Sequence, residues 1–431
     1  MTHPELFRSV VEGTPEYDAL LAALKRRGES DLARVEPAVR EILDAVRADG
    51  DVALAQLVER FEGRRPAHFF VRDYGGAAAL ASLEGPVRAA LERAAERSRR
   101  FHVRQREDLF GFEYEENGVR LGSRVQPLER VGVYVPGGKA RYPSSVLMAA
   151  IPAAVAGVKE IIVASPDTSA DVRAACHLAG VHALLDAGGA QAIAALAYGT
   201  KSVPAVDKIV GPGNIYVAAA KRLVFGEVSI DSIAGPSEIL VVADDSADPA
   251  VIAADLLSQA EHDEAAYALL VTTSATLVEG VRRELAAQLA TQPRKAIAEA
   301  SLRAHGAALI VKSQERLAAI ANELAAEHVA VQTREPRAVA DAIRAAGALF
   351  IGSSTPEAAG DYLAGPSHVL PTGGAARHAS PLGVYDFVSR SSIIEYTPAA
   401  LAAQAEPIAT FARTEGLEAH ARAVEIRARK K

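Results

Sequence analysis

From Val131 onward the chain repeats one unit: a short apolar strand, a glycine-bearing turn, then a helix. Val131-Gly-Val-Tyr-Val135 runs into Pro136-Gly137-Gly138, and a small-residue helix follows over 145–156. Residues 160–164 read as the next strand, 172–179 as a helix and 181–185 as a strand ending at Gly188-Gly189-Ala190-Gln191. A helix over 192–198 leads to a strand over 208–210, the turn Gly211-Pro212-Gly213-Asn214 and a helix over 215–223. The unit recurs with strands at 237–243, 267–272, 307–312, 329–332 and 349–351, separated by helices. Continuous apolar strands joined by helical crossovers demand parallel sheets covered on both faces. The chain is therefore expected to be α/β, built from incomplete doubly wound, Rossmann-like units with ligands beyond strand ends.

Outside that region the period changes. Residues 17–24 (closed by Gly28), 35–61 (broken at Gly50) and 86–106 have helical apolar spacing. Residues 112–124 alternate around Asn117-Gly118, which predicts a hairpin. After Pro381 the alternation stops, leaving a loop-rich region and a helical tail over 398–429.

The balance of 47 basic against 54 acidic residues, net −7, argues against nucleic-acid or anionic-membrane partners. The most apolar stretch, 146–158, is too short to span a bilayer and contains Pro152. Residues 1–8 lack a basic-then-apolar leader, and the single cysteine, Cys176, cannot close an intramolecular disulfide. Both point to the cytoplasm. Cys176 sits among alanines and leucine, as a structural thiol would.

Candidate chemistry is scattered. Asp248-Pro249 marks a helix start, and Gln259 and His262 then project one turn apart from one face of that helix. They fit either half a metal site or a solvated helix end. The glycine turns are suited to phosphate, but Gly211-Pro-Gly213 has Tyr216 where a third glycine would complete a dinucleotide fingerprint. Glu327-His328 falls at a helix-to-strand junction and offers two proton-transfer groups. His368 lies in a turn-rich stretch and His420 on the tail, whereas no H-E-x-x-H, paired C-x-x-C or EF-hand pattern is present.

Six stretches carry a resemblance: Val131–Gly138, Gly188–Gly199, Val206–Tyr216, Ile233–Glu238, Asp255–His262 and His368–Gly374. In order and separation they resemble histidinol dehydrogenase. The resemblance implies oxidation of L-histidinol through the aldehyde to L-histidine, with two NAD+ and one zinc ion per subunit. By position, Gln259, His262, Asp361 and His420 resemble the metal ligands, and Glu327 and His328 the catalytic pair. His328 is implied to take the hydroxyl proton, and Glu327 to activate water toward the aldehyde. Ser237, His368 and Glu415, together with the metal ligands and His328, match substrate contacts; Tyr134, Gln191 and Asn214 match NAD contacts. The family is a homodimer whose tail crosses to the other subunit.

The implied division is an N-terminal helical segment (1–27), a first α/β domain with zinc and catalytic residues (28–130 plus 237–380), a second with NAD contacts (131–236) and a dimer-crossing tail (381–431). Departures from the family pattern are Ala326, Val329, Ser367 and His378, none of which removes a functional group. Two other classes, a zinc hydrolase and a non-catalytic binding protein, leave the glycine turns or the Glu-His pair without a purpose.

Overall fold

The computed structural model describes residues 6–27, 32–137, 142–233 and 235–429; Gly28, Gly138 and Ala234 lie outside the described residues. Two six-stranded sheets and one three-stranded sheet organise the described residues. The first sheet runs Arg8–Val11, Ala307–Ile310, Tyr267–Thr272, Glu238–Ala243, His328–Gln332, Ala348–Ile351, parallel throughout. The second runs Phe70–Val71, Ala183–Leu185, Glu160–Ala164, Arg130–Tyr134, Lys208–Val210, Ser229–Ile230, parallel except for the short edge strand Phe70–Val71.

Numbered from its own first wound strand (Glu238–Ala243 or Arg130–Tyr134), each sheet has the order 3-2-1-4-5. Each is extended beside strand 3 by a strand from earlier in the chain. The sheets are topological twins. Their central strands are buried on both faces, as the unbroken runs Ile239-Leu-Val-Val242 and Ile161-Ile-Val163 require.

The division into domains needs three corrections. Residues 8–11 form a strand, so the N-terminal segment is not purely helical; its register against Ala307–Ile310 closes the edge of the first sheet. Residues 32–106 do not accompany the first sheet. The helices Leu32–Asp49 and Asp51–Glu62 present Val35, Val39, Ile42, Val46, Leu54 and Val58 to the alanine-rich helices Gly189–Tyr198 and Ile215–Val224 of the second. Gly76–Ser82 and Gly85–Arg106 likewise cover that sheet's other helices. The physical reason is that an apolar stripe goes to whichever facing surface of small residues completes its burial, whatever its sequence neighbours. Third, the tail holds a strand: Val388–Tyr396 pairs antiparallel along all of Val119–Pro127, beside the hairpin turning at Asn117-Gly118.

The hairpin itself forms as expected, with Asn117 and Gly118 both at positive φ. Asp248 caps the helix Pro249–Ala260 through Ala250 N–H. Cys176 is fully buried, and burial pushes its thiol up, as fits a structural residue. Among the described residues no helix is long and apolar enough to cross a membrane.

Candidate active site

Glu238 and His328 are the first residues of neighbouring strands in the first sheet, so both lie at its N-terminal edge. The helix Pro249–Ala260 runs back from the far edge and delivers Gln259, with His262 just beyond, to the same end. It packs against the short helix Glu357–Tyr362, which carries Glu357 and Asp361 one turn apart on one face. One ligand atom each from His328, Glu357 and Asp361 lies within 4.8 Å of the others. His368 Nδ1 is 3.8 Å from Asp361 Oδ1, and His328 Nδ1 is 3.5 Å from Glu357 Oε1.

Three buried atoms here have no hydrogen-bond partner: Gln259 Oε1, His328 Nε2 and Glu357 Oε2. Orphaned buried polar atoms are costly, and they mark where something else binds. An amide oxygen, carboxylates and imidazoles make a mixed O/N donor set suited to a borderline divalent ion, so the residues present fit zinc.

Burial dominates the electrostatics. Desolvation lowers His328 to about 4, helped by the nearby His368 and His262, and lowers His368 to about 4. Desolvation, then the charge of Glu238, holds Glu327 well above the usual carboxylate range. Glu357 is raised by burial and by Asp361 and Asp255, while Asp361 is raised by burial against the opposing pull of His262. Asp255, hydrogen-bonded by Gln332 Nε2 at 2.5 Å, is pushed up by burial to about 6.

His328 Nδ1 lies 3.0 Å from the Glu238 carbonyl, an acceptor only, so Nδ1 carries the proton and Nε2 keeps its lone pair. A neutral imidazole with a free, buried Nε2 is a proton acceptor in waiting. Glu327, made more basic by burial, is a second. Behind it, a Cβ at Gly347 would stand 2.4 Å from Glu327 O, so only glycine lets that loop close.

The expected residues are partly assembled. His262, Glu327, His328, Asp361 and His368 converge, Gln259 lies one turn before His262 on the helix packed beside them, and Ser237 immediately precedes Glu238. Glu415 and His420 do not join them; both are exposed on the tail, whose helices Pro398–Thr414 and Glu418–Ala428 pack on each other. Glu357 was missed, although its i, i+4 spacing to Asp361 was a readable signal. Ser367, a departure from the family pattern, is buried, and its Oγ accepts Val369 N–H at 3.2 Å, bracing the turn around His368.

At the second sheet, Tyr134, Gln191 and Asn214 line one cavity of about 1410 Å3 beyond the C-terminal strand ends. Tyr134 Oη accepts Gly189 N–H at 3.0 Å, Gln191 Nε2 donates to Glu62 at 3.2 Å, and Asn214 caps the helix Ile215–Val224. A Cβ at Gly211, where φ is +112°, would fall 2.1 Å from Tyr134 O, so glycine permits this turn against the strand.

Comparison with known proteins agrees across the chain. The family model described as histidinol dehydrogenase matches residues 25–428. A histidinol dehydrogenase of Syntrophotalea carbinolica is 53% identical over 418 residues, 96% of this chain and 97% of the relative. One from Aquifex aeolicus is 49% identical over 409 residues, covering 94% and 96%. The crystal structure of histidinol dehydrogenase from Elizabethkingia anophelis superposes with a TM-score of 0.91 at 32% identity, covering 99% of this chain and 98% of that one. Full-length similarity in both sequence and fold leaves one conclusion: the chain belongs to the histidinol dehydrogenase family.

Proposed function

We propose that this histidinol dehydrogenase works as a zinc-dependent, NAD+-dependent homodimer in the cytoplasm, taking L-histidinol through the aldehyde to L-histidine. The observation that carries it is the buried donor cluster at the edge of the first sheet: one ligand atom each of His328, Glu357 and Asp361 lies within 4.8 Å of the others, and Gln259 Oε1 is buried without a partner near the end of the helix packed beside it. Gln259, His262 and Asp361 would hold the metal, with His420 supplied by a second subunit. Zinc, when bound, supplies a Lewis-acidic anchor that orients the substrate. NAD+, held at Tyr134, Gln191 and Asn214, supplies the hydride acceptor for both oxidations.

The chain's own residues manage the protons. His328 Nε2 removes the hydroxyl proton as the carbinol carbon loses hydride. Glu327 then removes a proton from water attacking the aldehyde while protonated His328 returns its proton to the aldehyde oxygen, giving a gem-diol and a neutral His328. His328 takes a diol hydroxyl proton as the second hydride leaves. Ser237, His368 and Glu415 complete the substrate's surroundings.

The dimer reading draws support from apolar side chains left bare on the three-stranded sheet and the tail: Phe112, Tyr114, Ile394, Phe411 and Ile426. Phe112, Tyr114 and Ile394 are neighbours on the three-stranded sheet, and adjoining bare apolar side chains of this kind mark interaction surfaces. The deciding experiment is NAD+ reduction on adding L-histidinol, before and after chelation and after restoring zinc. Two NADH per histidinol, lost with chelator and regained with zinc, is the expected result. Full turnover in metal-free protein would remove the metal from the proposal.

A further inference from the structure

We infer that Glu238, gripped by Arg27, is a positioning residue that sets the geometry of the Glu327–His328 pair; this rests on the roles proposed above for that pair. Glu238 touches the pair through three of its four polar atoms. Its N–H donates to Glu327 Oε2 at 3.0 Å, and its carbonyl accepts from His328 Nδ1 at 3.0 Å. Its Oε1 accepts Glu327 N–H at 3.1 Å and Gly373 N–H at 2.9 Å, and Oε2 accepts Arg27 Nε. One residue therefore holds the carboxylate, the backbone and the imidazole of the pair. It also ties down the 373 turn, which follows His368.

Arg27 completes the grip. Its Nη1 donates to Leu24 O and its Nη2 to Leu324 O, both at 2.8 Å. Leu24 and Leu324 are at the ends of the helices Pro15–Lys25 and Gln314–Leu324, and the second helix leads directly into Glu327. Both side chains of the ion pair are 1% exposed. A buried ion pair is a poor source of stability compared with apolar residues of similar size. A strand entering this core needs no charge at its first residue. Three N–H donors converging on one carboxylate, with Glu327 and His328 at the other end of the contacts, make sense as alignment. An amide cannot substitute freely, because its NH2 would face Arg27 or a backbone N–H.

The test uses the full-length chain as its native assembly. The Glu238→Gln and Arg27→Lys variants are assayed beside Glu327→Gln and His328→Asn, with KM for histidinol and NAD+, thermal midpoint and zinc content measured for each. Glu238→Gln is expected to lower kcat roughly 100-fold, with both KM values within about 3-fold of wild type and zinc retained. Arg27→Lys keeps the charge but loses the two-carbonyl fork, and is expected to lower kcat about 10-fold while folding normally. Combining the two is expected to cost little beyond Glu238→Gln alone, because they act as one unit. A folded Glu238→Gln enzyme with kcat within about 3-fold of wild type, or a KM for histidinol rising in step with lost kcat, overturns the inference. If Glu238→Gln does not fold, unchanged kcat in Arg27→Lys overturns it. Wild-type turnover in His328→Asn and Glu327→Gln instead defeats the roles of the pair itself, whatever Glu238 does.

Discussion

The twin sheets place their chemistry at opposite ends. The second follows the usual rule for wound sheets: its cavity opens beyond the C-terminal strand ends, where the strand order reverses between Arg130–Tyr134 and Lys208–Val210. The first inverts that rule, with Glu238 and His328 on the N-terminal edge of the two strands flanking its own reversal point. The cavity of the second sheet offers tyrosines, amide side chains and glycine turns along a broad rim, which suit a large ligand. The edge of the first offers acids and imidazoles whose protonation is shifted by burial, which suits proton transfer. Each region is fastened by a buried ion pair. Lys221 and Asp231 bond the carbonyl and N–H of Gly211, whereas Arg27 and Glu238 hold Glu327 and His328. A common topology thus constrains where strands go, not which end does the chemistry.

The largest expected effect strikes the first sheet alone. His328→Asn should cut kcat for both oxidations by roughly 1,000-fold while leaving the KM for NAD+ unchanged. In the same assay, Glu327→Gln should spare aldehyde formation relative to aldehyde oxidation; equal loss of the two steps would end the division of labour between them. Next, if the first site draws on a second subunit, mixing inactive His262→Ala and His420→Ala chains should restore roughly a quarter of wild-type activity, since one site per mixed dimer is intact. No recovery in verified mixed dimers would mean each site is built within one chain. Tyr134→Phe probes the second sheet: losing the acceptor for Gly189 N–H should raise the KM for NAD+ about 10-fold with kcat nearly unchanged. A loss confined to kcat would erase the contrast between the regions. Cys176→Ala, buried away from both, should alter turnover by no more than about 2-fold in steady-state assays.

The buried strands were legible because period and composition coincide there. Glu160–Ala164, Lys208–Val210 and Tyr267–Thr272 are seen with the bounds their apolar runs predict. The edges were not. Arg8–Val11 is four residues of mixed polarity, and Val388–Tyr396 includes Ser-Arg-Ser-Ser and stays largely exposed, so neither has a buried face to set a period. Glu327 and His328 were legible as a dipeptide, and Gln259 and His262 as a helical pair. Glu238 was not, because its significance lies in contacts far along the chain, whereas Glu357 was readable from its i, i+4 spacing to Asp361 and was passed over. Glu238 looks like the polar start of an apolar strand until Arg27, 211 residues away, is found against it.

That separation has a consequence for how the protein is made. The strands and main covering helices of the second sheet lie within residues 32–230, a continuous stretch that emerges midway through synthesis, and only Leu382, Val384 and Phe387 join its core later. The first sheet must wait until Ala307–Ile310 emerges to receive Arg8–Val11. Pairings so distant in sequence form slowly and late. A nascent chain stalled near residue 240 should thus resist protease over residues 32–230 while its first 27 residues are still cut. The newborn chain would have the cavity of its second sheet before it had the Glu327–His328 pair of the first.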